Sequence, residues 1–355
     1  MANFKPNLFR SVYIFFELME IVVVVGKPQV PCYFIFGDSL FDSGNNNELV
    51  TTARSNYLPY GTDFPQGVTG RFTNGRTIAD IIGELLGFDE YIPTYATVTD
   101  QHISRGVNYA SGGSGIREET GSHLGGRISL DRQLLNHYSI VSRLFHLQRN
   151  ITFTRDYLSK CIYIVNIGSN DYINNYFKPD IYATSHMYTT NRYAQRLVQQ
   201  YSRQLKCLYN LGGRKIAIFG LGLIGCTPAE ISTFGTEGRP CVKFINDAVK
   251  LFNNKLKPIL DDLNAYNPDA KFTFINVTSI SLQQGTVLTN VPSCILRSDG
   301  QCVQTTLISL VRSMSMFYDG YHPTEVSNIH TARLSYIAIS PMDASPYDIS
   351  HLVQL

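Results

Sequence analysis

The sequence predicts an α/β fold built around a mostly parallel sheet of about five strands. Short apolar runs rich in Val, Ile, Phe and Tyr alternate with longer segments in which apolar residues recur at helical spacing, and that alternation is typical of βαβ units. Apolar runs also end in glycine-containing turns. Because open parallel sheets bind ligands beyond the carboxyl ends of their strands, functional residues are expected in these turns.

Five apolar runs are predicted strands, and three periodic segments are predicted helices. The strands cover residues 32–36, 106–110, 161–167, 215–219 and 272–277. The helices cover residues 130–145, 194–208 and 242–263, where apolar side chains repeat every three or four positions. No linker, internal repeat or low-complexity tract separates two cores, so residues 31–355 are predicted to form one domain.

The composition is that of a folded chain with almost balanced charge. Of its 355 residues, 44% are hydrophobic and 16% are charged, which is enough for a substantial core. The chain has 30 basic and 28 acidic residues, and it has no basic run interleaved with aromatic side chains. Nucleic acid is therefore not an expected partner.

The first thirty residues are predicted to be a signal peptide. Lys5 and Arg10 precede an apolar stretch over residues 12–25, which Glu17 and Glu20 interrupt. That stretch is too short and too charged to cross a bilayer, which needs about 20 mostly apolar residues. The mature protein is expected to be secreted and to have no integral membrane span.

The cysteines and two sequons are compatible with secretion. Cys226 with Cys241, and Cys294 with Cys302, are close enough in sequence for each pair to close a loop by a disulfide. The alternative is that the thiols are reduced and buried in an intracellular enzyme. The candidate N-glycosylation sites are Asn150 and Asn276.

The turn after the first predicted strand contains a candidate nucleophile, Ser39. Ser39 lies just beyond the strand end in the sequence Gly37-Asp38-Ser39-Leu40, so its hydroxyl is expected at the exposed edge of the sheet. Its own amide would point toward negative charge developing nearby. The alternative is that Ser39 only caps a helix, and serine is a weak nucleophile unless a base activates it.

A segment near the other end of the chain supplies such a base. Asp319 and His322 are three positions apart, so in a turn-like loop the carboxylate can accept the hydrogen on one imidazole nitrogen. The other nitrogen is then free to take the proton of Ser39. Ser39, Asp319 and His322 are therefore the predicted catalytic residues.

Two further turns offer hydrogen-bond donors for an oxyanion. One is the segment 108–115, in which Gly113 and its neighbouring glycines allow backbone amides to approach a ligand closely. The other is the segment 168–171, which places the side chain of Asn170 at the same edge. With the amide of Ser39 these groups would form a three-donor oxyanion hole, although Gly, Asn, Ser and Asp are also ordinary turn residues.

Together, four segments resemble the sequence blocks of GDSL esterases and lipases of the SGNH hydrolase superfamily, in particular its large plant group. The blocks are residues 37–40, 108–115, 168–171 and 319–325, in this order, and the resemblance spans nearly the whole chain after residue 30. It implies a flavodoxin-like three-layer α/β/α sandwich that needs no metal or organic cofactor.

The same resemblance implies roles for individual residues. Ser39 would be the nucleophile, Asp319 and His322 would complete the triad, and Gly113 and Asn170 would complete the oxyanion hole with the Ser39 amide. The chain departs from the family in having no Trp and in a stretch over residues 294–317 that looks short. That stretch leaves the shape of the substrate cleft open.

Other kinds of site fit the sequence less well. Residues 220–225 form a formal G-x-G-x-x-G, but Cys226-Thr227-Pro228 follows where a dinucleotide fold needs its helix. No metal site is predicted, because six other histidines lack Cys or carboxylate partners at ligand spacing: His102, His123, His137, His146, His186 and His330. Asp42 and Asp171 are interpreted as turn or capping residues.

The predicted function is hydrolysis of a carboxylic ester through an acyl-enzyme on Ser39. The substrate would be a lipid, an acylated small molecule or an acylated cell-wall polymer. Two alternatives stay open. One is an acyltransferase that resolves the same acyl-enzyme with an alcohol, and the other is a non-catalytic binding protein on the same fold.

Overall fold

The structure is a computed structural model that describes residues 27–283 and 291–355. The segment 1–26, which contains most of the predicted signal peptide, lies outside the described residues. The described residues form three layers, with the sheet between two layers of helices. No helix within these two ranges is long and apolar enough to cross a membrane.

Five strands form the central sheet in the order β1-β2-β3-β4-β5. They are β1 (Tyr33–Gly37), β2 (Ile162–Asn166), β3 (Lys215–Phe219), β4 (Lys271–Ile275) and β5 (Ala344–Ser345). The first four are parallel, and β5 pairs antiparallel with β4. At the carboxyl ends Gly37 aligns with Asn166, and Asn166 aligns with Phe219, so the loops after these strands leave the sheet at one level.

Eleven α-helices are present within the described ranges. They are α1 (Ile78–Leu85), α2 (Leu130–Gln148), α3 (Ile151–Lys160), α4 (Ser169–Asp171), α5 (Thr184–Met187), α6 (Thr190–Asn210), α7 (Pro228–Phe234), α8 (Lys243–Tyr266), α9 (Val277–Gln283), α10 (Glu325–Tyr336) and α11 (Ile349–Leu352). The three predicted helices correspond to α2, α6 and α8, which the structure extends by a few residues. These helices were predictable because each has a long apolar face, which gives a clear helical repeat of apolar residues in the sequence.

Alternating residues of the strands divide the core between the two faces of the sheet. Phe34 and Tyr163 point to the face covered by α2, α6 and α8. Tyr33 and Ile164 point to the other face, covered by α1, α9, α10 and α11. Because successive side chains of a strand point to opposite sides, strands buried on both faces appear as continuous apolar runs. The predicted three-layer α/β/α fold is confirmed.

Four of the five predicted strands are confirmed to within two residues, but the prediction for residues 106–110 is wrong. This segment lies beside β1, and the amide of Tyr109 donates to the carbonyl of Ile35 at 2.7 Å. It forms only isolated bridges at Asn108, however. The next step of a parallel ladder would need the amide of Gly37 to donate to the carbonyl of Tyr109. That amide donates instead to Oε1 of Gln133 at 2.9 Å, so no regular ladder extends beyond Ile35.

The short strand β5 takes the fifth place in the sheet, and the sequence did not predict it. Two residues are too few to produce a detectable apolar alternation. The segment 106–110 lies on the outer side of β1, opposite β2. If it is counted as the second strand along the chain, then β2, β3 and β4 become the third, fourth and fifth strands. The parallel part of the sheet then has the strand order 2-1-3-4-5, which is that of flavodoxin-like sheets.

Three disulfides are present in the described part of the chain. They join Cys226 to Cys241, Cys294 to Cys302, and Cys32 to Cys161. The first two are the pairs expected from spacing. The third connects residues that are 129 positions apart in sequence, which spacing does not reveal. It forms because Cys32 and Cys161 directly precede the paired strands β1 and β2.

Candidate active site

The three predicted catalytic residues lie together at the carboxyl edge of the sheet. Nε2 of His322 lies 2.8 Å from Oγ of Ser39, although 283 positions separate the two residues. Nδ1 of the same imidazole lies 2.9 and 2.8 Å from the two carboxylate oxygens of Asp319. The geometry is that of a nucleophile, a base and a carboxylate that orients the base.

Ser39 lies in a tight turn that begins as β1 ends. The amide of Asp38 donates to the carbonyl of Asn166 at 3.2 Å, which ties the turn to β2. The amides of Phe41 and Asp42 then donate to the carbonyl of Asp38 at 3.1 and 3.0 Å. Ser39 therefore does not cap a helix, and its half-buried side chain lines a cavity at the sheet edge.

Asp319 is fully buried and accepts several hydrogen bonds besides those of the imidazole. The amides of Tyr321 and His322 donate to Oδ1, both at 2.8 Å. The hydroxyl of Tyr60 donates to Oδ2 at 2.6 Å. Burial and the charge of Asp319 raise the pKa of Tyr60 well above its usual value, so this phenol stays a donor. Their hydrogen bonds replace those that the carboxylate would make with water, and so offset the free-energy cost of burying its charge.

Tyr60 and Phe72 contact the candidate triad, and the sequence did not predict either of them. The ring of Phe72 packs against the imidazole of His322 with a centroid distance of 4.9 Å, which restricts rotation of the imidazole. Both residues lie in the long irregular segment between β1 and α1. Neither belongs to a motif with a chemical signature, so single-sequence reasoning had no signal for them.

Gly113 and Asn170 line the same cavity as Ser39 and His322. Within the two described ranges, the amides of Ser39 and Gly113 donate to no protein acceptor. The side-chain nitrogen of Asn170 donates to the carbonyl of Ser114 at 3.0 Å, which leaves its second hydrogen available. The side chain of Asn174 donates to Oδ1 of Asn170 at 2.7 Å and so fixes the orientation of that amide.

Asp42 and Asp171 do more than stabilise their own turns. Asp42 accepts two amides of its own turn and, through its other oxygen, the amide of Gly112 at 2.9 Å. Asp171 accepts the amide of Ile116 at 2.8 Å and the hydroxyl of Thr120 at 2.7 Å. The two buried carboxylates thus connect the loop of Gly113 to the loops of Ser39 and Asn170.

The carboxyl group of Asp38 is buried directly beside the candidate nucleophile. One of its oxygens accepts the amide of Leu40 at 3.0 Å. The other has no hydrogen-bond partner among the described residues. Burial raises the pKa of Asp38 from 3.8 to about 7, although the Leu40 hydrogen bond and the nearby His322 lower it in part.

The cavity in front of Ser39 has a volume of about 420 Å³ and is lined by residues of several loops. Ser298, Asp299 and Gln301 contribute one wall, and they lie in the loop closed by the Cys294–Cys302 disulfide. The stretch over residues 294–317, which is short compared with the family pattern, therefore contributes residues to the cleft in front of Ser39. No group of three or more His, Cys, Asp or Glu residues in the described ranges could hold a metal ion.

The formal G-x-G-x-x-G over residues 220–225 forms an irregular turn after β3. It runs into a short 3₁₀ helix over Ile224–Cys226, which the Cys226–Cys241 disulfide ties to the segment before α8. The first long helix after this turn, α8, begins only at Lys243. A dinucleotide site needs its helix to begin within the glycine motif, so the structure gives no support to that alternative.

Comparisons with known proteins identify the family. The family described as GDSL-like Lipase/Acylhydrolase matches residues 33–334. Two Arabidopsis thaliana proteins named GDSL esterase/lipase are 48% and 46% identical to this chain, and the matched regions cover 95% and 94% of this chain and 95% of each relative. A third Arabidopsis thaliana GDSL esterase/lipase is 45% identical, with 95% of this chain and 96% of the relative covered.

A solved structure, that of a gut microbial diltiazem-metabolizing enzyme, is 13% identical and covers 74% of this chain and 42% of its own, with a TM-score of 0.29. A likeness that low carries no argument. The family match and the three plant relatives decide the assignment, because they extend over almost the whole chain. This protein belongs to the GDSL lipase/acylhydrolase family.

Proposed function

We propose that the protein cleaves carboxylic esters through an acyl-enzyme formed on Ser39. As a member of the GDSL family the chain is a carboxylic ester hydrolase, and the proposal concerns its mechanism. The observation that carries it is the 2.8 Å contact between Nε2 of His322 and Oγ of Ser39, with Asp319 behind the imidazole. The buried carboxylate orients the base and stabilises the imidazolium that forms.

In the first half-reaction, Oγ of Ser39 attacks the ester carbonyl while Nε2 of His322 accepts the hydroxyl proton. The carbonyl oxygen becomes an oxyanion in the tetrahedral intermediate. The amides of Ser39 and Gly113 and the side chain of Asn170 would donate to it, because these donors line the same cavity and retain unused hydrogens. Collapse of the intermediate breaks the bond to the alcohol, which leaves with the proton from His322.

In the second half-reaction, water attacks the acyl-enzyme. His322 accepts a proton from that water, and a second tetrahedral intermediate uses the same three donors. Its collapse breaks the bond between Oγ and the acyl carbon, returns the proton to Ser39 and releases the acid. No other group is needed, since nucleophile, base and oxyanion donors all belong to this chain.

Hydrolysis of p-nitrophenyl acetate by the wild type and by Ser39→Ala tests this proposal. We expect the variant to lose at least 1,000-fold in kcat, since it lacks the attacking oxygen, an effect on the order of that for removing a triad member. Ser139→Ala, at an exposed position of α2, is the matched control and should keep wild-type activity. Equal activity in wild type and Ser39→Ala would overturn the mechanism. Preferential transfer of the acyl group to added glycerol would identify an acyltransferase.

We also propose that the chain is secreted as a single catalytic domain after removal of its leader. Three disulfides favour an oxidising compartment. The amide of Gln29 donates to the carbonyl of Leu86 at 2.9 Å, and Val30 is buried in the core. The mature domain would therefore begin before residue 29, slightly earlier than the boundary after residue 30 expected from the sequence. Amino-terminal sequencing of protein secreted by plant cells tests this. A mature chain starting beyond Val30, or full-length protein kept inside the cells, would contradict it.

The asparagine side chains of the two sequons differ in whether the side-chain nitrogen donates a hydrogen bond within the protein. Asn150 is exposed, and only its oxygen is engaged, by the amide of Phe153 at 2.9 Å. The side-chain nitrogen of Asn276, the atom that glycosylation modifies, donates to the carbonyl of Met342 at 3.0 Å. We therefore propose Asn150 as the glycosylated position. Asn150→Gln should abolish the mass shift produced by a peptide N-glycosidase, and Asn276→Gln should not.

A further inference from the structure

Lys178 is a cationic residue of the cavity in front of Ser39, here called the catalytic cavity. It lies just beyond the helical segment Tyr172–Tyr176, is half-buried and lines the cavity together with His322. Its amide donates to the carbonyl of Asn175 at 3.0 Å, and its carbonyl accepts the amides of residues 181 and 182. The backbone that carries this side chain is therefore held in place at the cavity wall.

The side chain of Lys178 has no anionic partner in the described part of the chain. Its Nζ forms neither an ion pair nor a hydrogen bond with a residue of the two described ranges. The carboxylate of Asp299 lines the same cavity, but both of its oxygens accept hydrogen bonds from Arg297, one of them at 3.1 Å. Because Arg297 already neutralises Asp299, that carboxylate is not a counter-charge for Lys178.

Two further carboxyl groups lie close enough to influence this charge, and burial raises the pKa of both. The pKa of Asp38, which lines the cavity, is raised from 3.8 to about 7. Burial raises the pKa of Glu230 from 4.5 to about 7, although the charge of Lys178 lowers it in part. At and below neutral pH neither group carries a full negative charge. Lys178 is therefore only partly compensated, and an anionic group on a substrate would replace the hydration that this half-buried charge has lost.

His123 lines the same cavity, and Tyr182 connects it to Lys178. The hydroxyl of Tyr182 accepts the amide of His123 at 3.3 Å and lies 2.8 Å from Nδ1 of its imidazole. The amide of Tyr182 donates to the carbonyl of Lys178 at 2.9 Å. Burial, and then the charges of Lys178 and Arg127, lower the pKa of His123 from 6.5, so the ring is neutral near neutral pH. We assign the hydrogen of the Tyr182 hydroxyl to Nδ1 and the ring hydrogen to Nε2, a donor that no described residue uses.

We propose that Lys178 and His123 bind a carboxylate group of the substrate, with Lys178 supplying the opposite charge and Nε2 of His123 a second hydrogen bond. The inference rests on the proposed ester hydrolysis at Ser39 and adds the substrate class, an ester whose acid or alcohol part carries a carboxylate. Hydrogen bonds to ionised groups are about twice as strong as those between neutral groups. An ester with a carboxylate should therefore be a better substrate than the same ester with a neutral carboxamide.

Three substitutions isolate the charge of Lys178. Lys178→Met removes the charge and keeps a long, unbranched side chain, whereas Lys178→Arg keeps the charge. Lys206→Met is the matched control, because Lys206 is exposed on α6 and does not line the catalytic cavity. Lys178 binds the substrate away from the reacting carbonyl, so it is a specificity residue.

The experiment measures kcat/KM for two pairs of esters, each of which compares a carboxylate with a carboxamide. In the first pair the group is on the acid part, in the p-nitrophenyl monoesters of adipate and adipamate. In the second pair it is on the alcohol part, in 4-acetoxybenzoate and 4-acetoxybenzamide. The pair that responds to Lys178→Met identifies which part of the substrate carries the carboxylate.

For the carboxylate ester of at least one pair, we expect Lys178→Met to lower kcat/KM by about tenfold or more, the usual effect of losing a hydrogen bond to a charged group. Both carboxamide esters should keep their wild-type kcat/KM in Lys178→Met, and all four esters should keep it in Lys206→Met. Lys178→Arg should retain the preference for the carboxylate. Equal losses for the carboxylate and carboxamide members of each pair, or no loss for either carboxylate ester, would overturn the proposal.

A binding measurement separates this inference from the proposed function. The two carboxylate esters are titrated calorimetrically into Ser39→Ala protein, which needs no turnover. Saturable binding that the added Lys178→Met substitution weakens about tenfold or more would support the carboxylate site even if the wild type hydrolysed no ester. Hydrolysis of all four esters by the wild type, with neither kinetics nor binding dependent on Lys178, would overturn the carboxylate site and leave the Ser39 mechanism intact.

Discussion

The hydroxyl of Tyr60 donates a 2.6 Å hydrogen bond to Oδ2 of Asp319 and accepts one of 3.0 Å from the amide of Cys302. One phenol thus connects the buried carboxylate behind His322 to the loop closed by the Cys294–Cys302 disulfide, whose residues form a wall of the catalytic cavity. The position of that wall and the orientation of the base therefore depend on the same side chain.

Tyr60→Phe should lower kcat on the order of tenfold with little change in KM, because it removes one charge-assisted hydrogen bond that holds Asp319. Tyr60 acts through Asp319 and is a positioning residue. Tyr57→Phe is the control, since the Tyr57 hydroxyl donates to the carbonyl of Cys302 at 2.9 Å and does not contact Asp319. Equal effects of the two substitutions on kcat would show that Tyr60 has a structural role only.

Asn170→Ala should reduce kcat by on the order of 100-fold or more and change KM little, because Asn170 is a proposed oxyanion donor, which would act in the transition state. Asn174→Ala should have a smaller effect, since Asn174 only orients the Asn170 amide. Steady-state kinetics with p-nitrophenyl butyrate would measure both. A loss below threefold for Asn170→Ala would remove Asn170 from the oxyanion hole.

Asp171→Asn should lower the free energy of unfolding by about 1–3 kcal/mol, because an amide cannot satisfy all the buried donors that the carboxylate accepts. Those donors are the amides of Ile116 and Arg117 and the hydroxyl of Thr120. Urea unfolding measures the change. Asp180→Asn, at an exposed position, is the control and should stay within about 0.5 kcal/mol of the wild type.

The buried carboxyl of Asp38 should make stability depend on pH. Its pKa is raised from 3.8 to about 7 by burial, so between these values the folded state binds more protons than the unfolded state, and stability decreases as pH rises. Asp38→Asn removes that titration. Its free energy of unfolding should therefore decrease less than that of the wild type between about pH 4 and 7. Parallel urea-unfolding curves for both proteins across this interval would contradict the assignment.

The sequence predicted the parts of the fold that have long apolar patterns. Strands β1 to β4 are buried on both faces, and α2, α6 and α8 have extended apolar stripes, so their residues carry a clear signal. The two-residue strand β5 depends on a long-range pairing with β4. The segment 106–110 has the apolar content of a strand, but the amide of Gly37 in β1 donates to the distant side chain of Gln133, which ends the regular ladder.

The grouping of the candidate site residues was predictable where the proposed chemistry requires particular residue types at fixed local spacing. Asp319 and His322 are three positions apart, and Ser39, Gly113 and Asn170 each follow an apolar run. Tyr60, Phe72 and the cross-loop role of Asp171 depend on contacts between distant segments. Tyrosine and phenylalanine are also ordinary core residues, so nothing local marks these two as part of the site.

Labelling with a fluorophosphonate, followed by peptide mass spectrometry, shows whether Ser39 is an activated nucleophile, because such reagents phosphonylate an activated serine hydroxyl. We expect one label per chain, on the peptide that contains Ser39, and labelling slowed at least 100-fold in His322→Ala, which lacks the imidazole nitrogen 2.8 Å from Oγ. Labelling of another serine, no labelling of the wild type, or an equal rate in His322→Ala would contradict it.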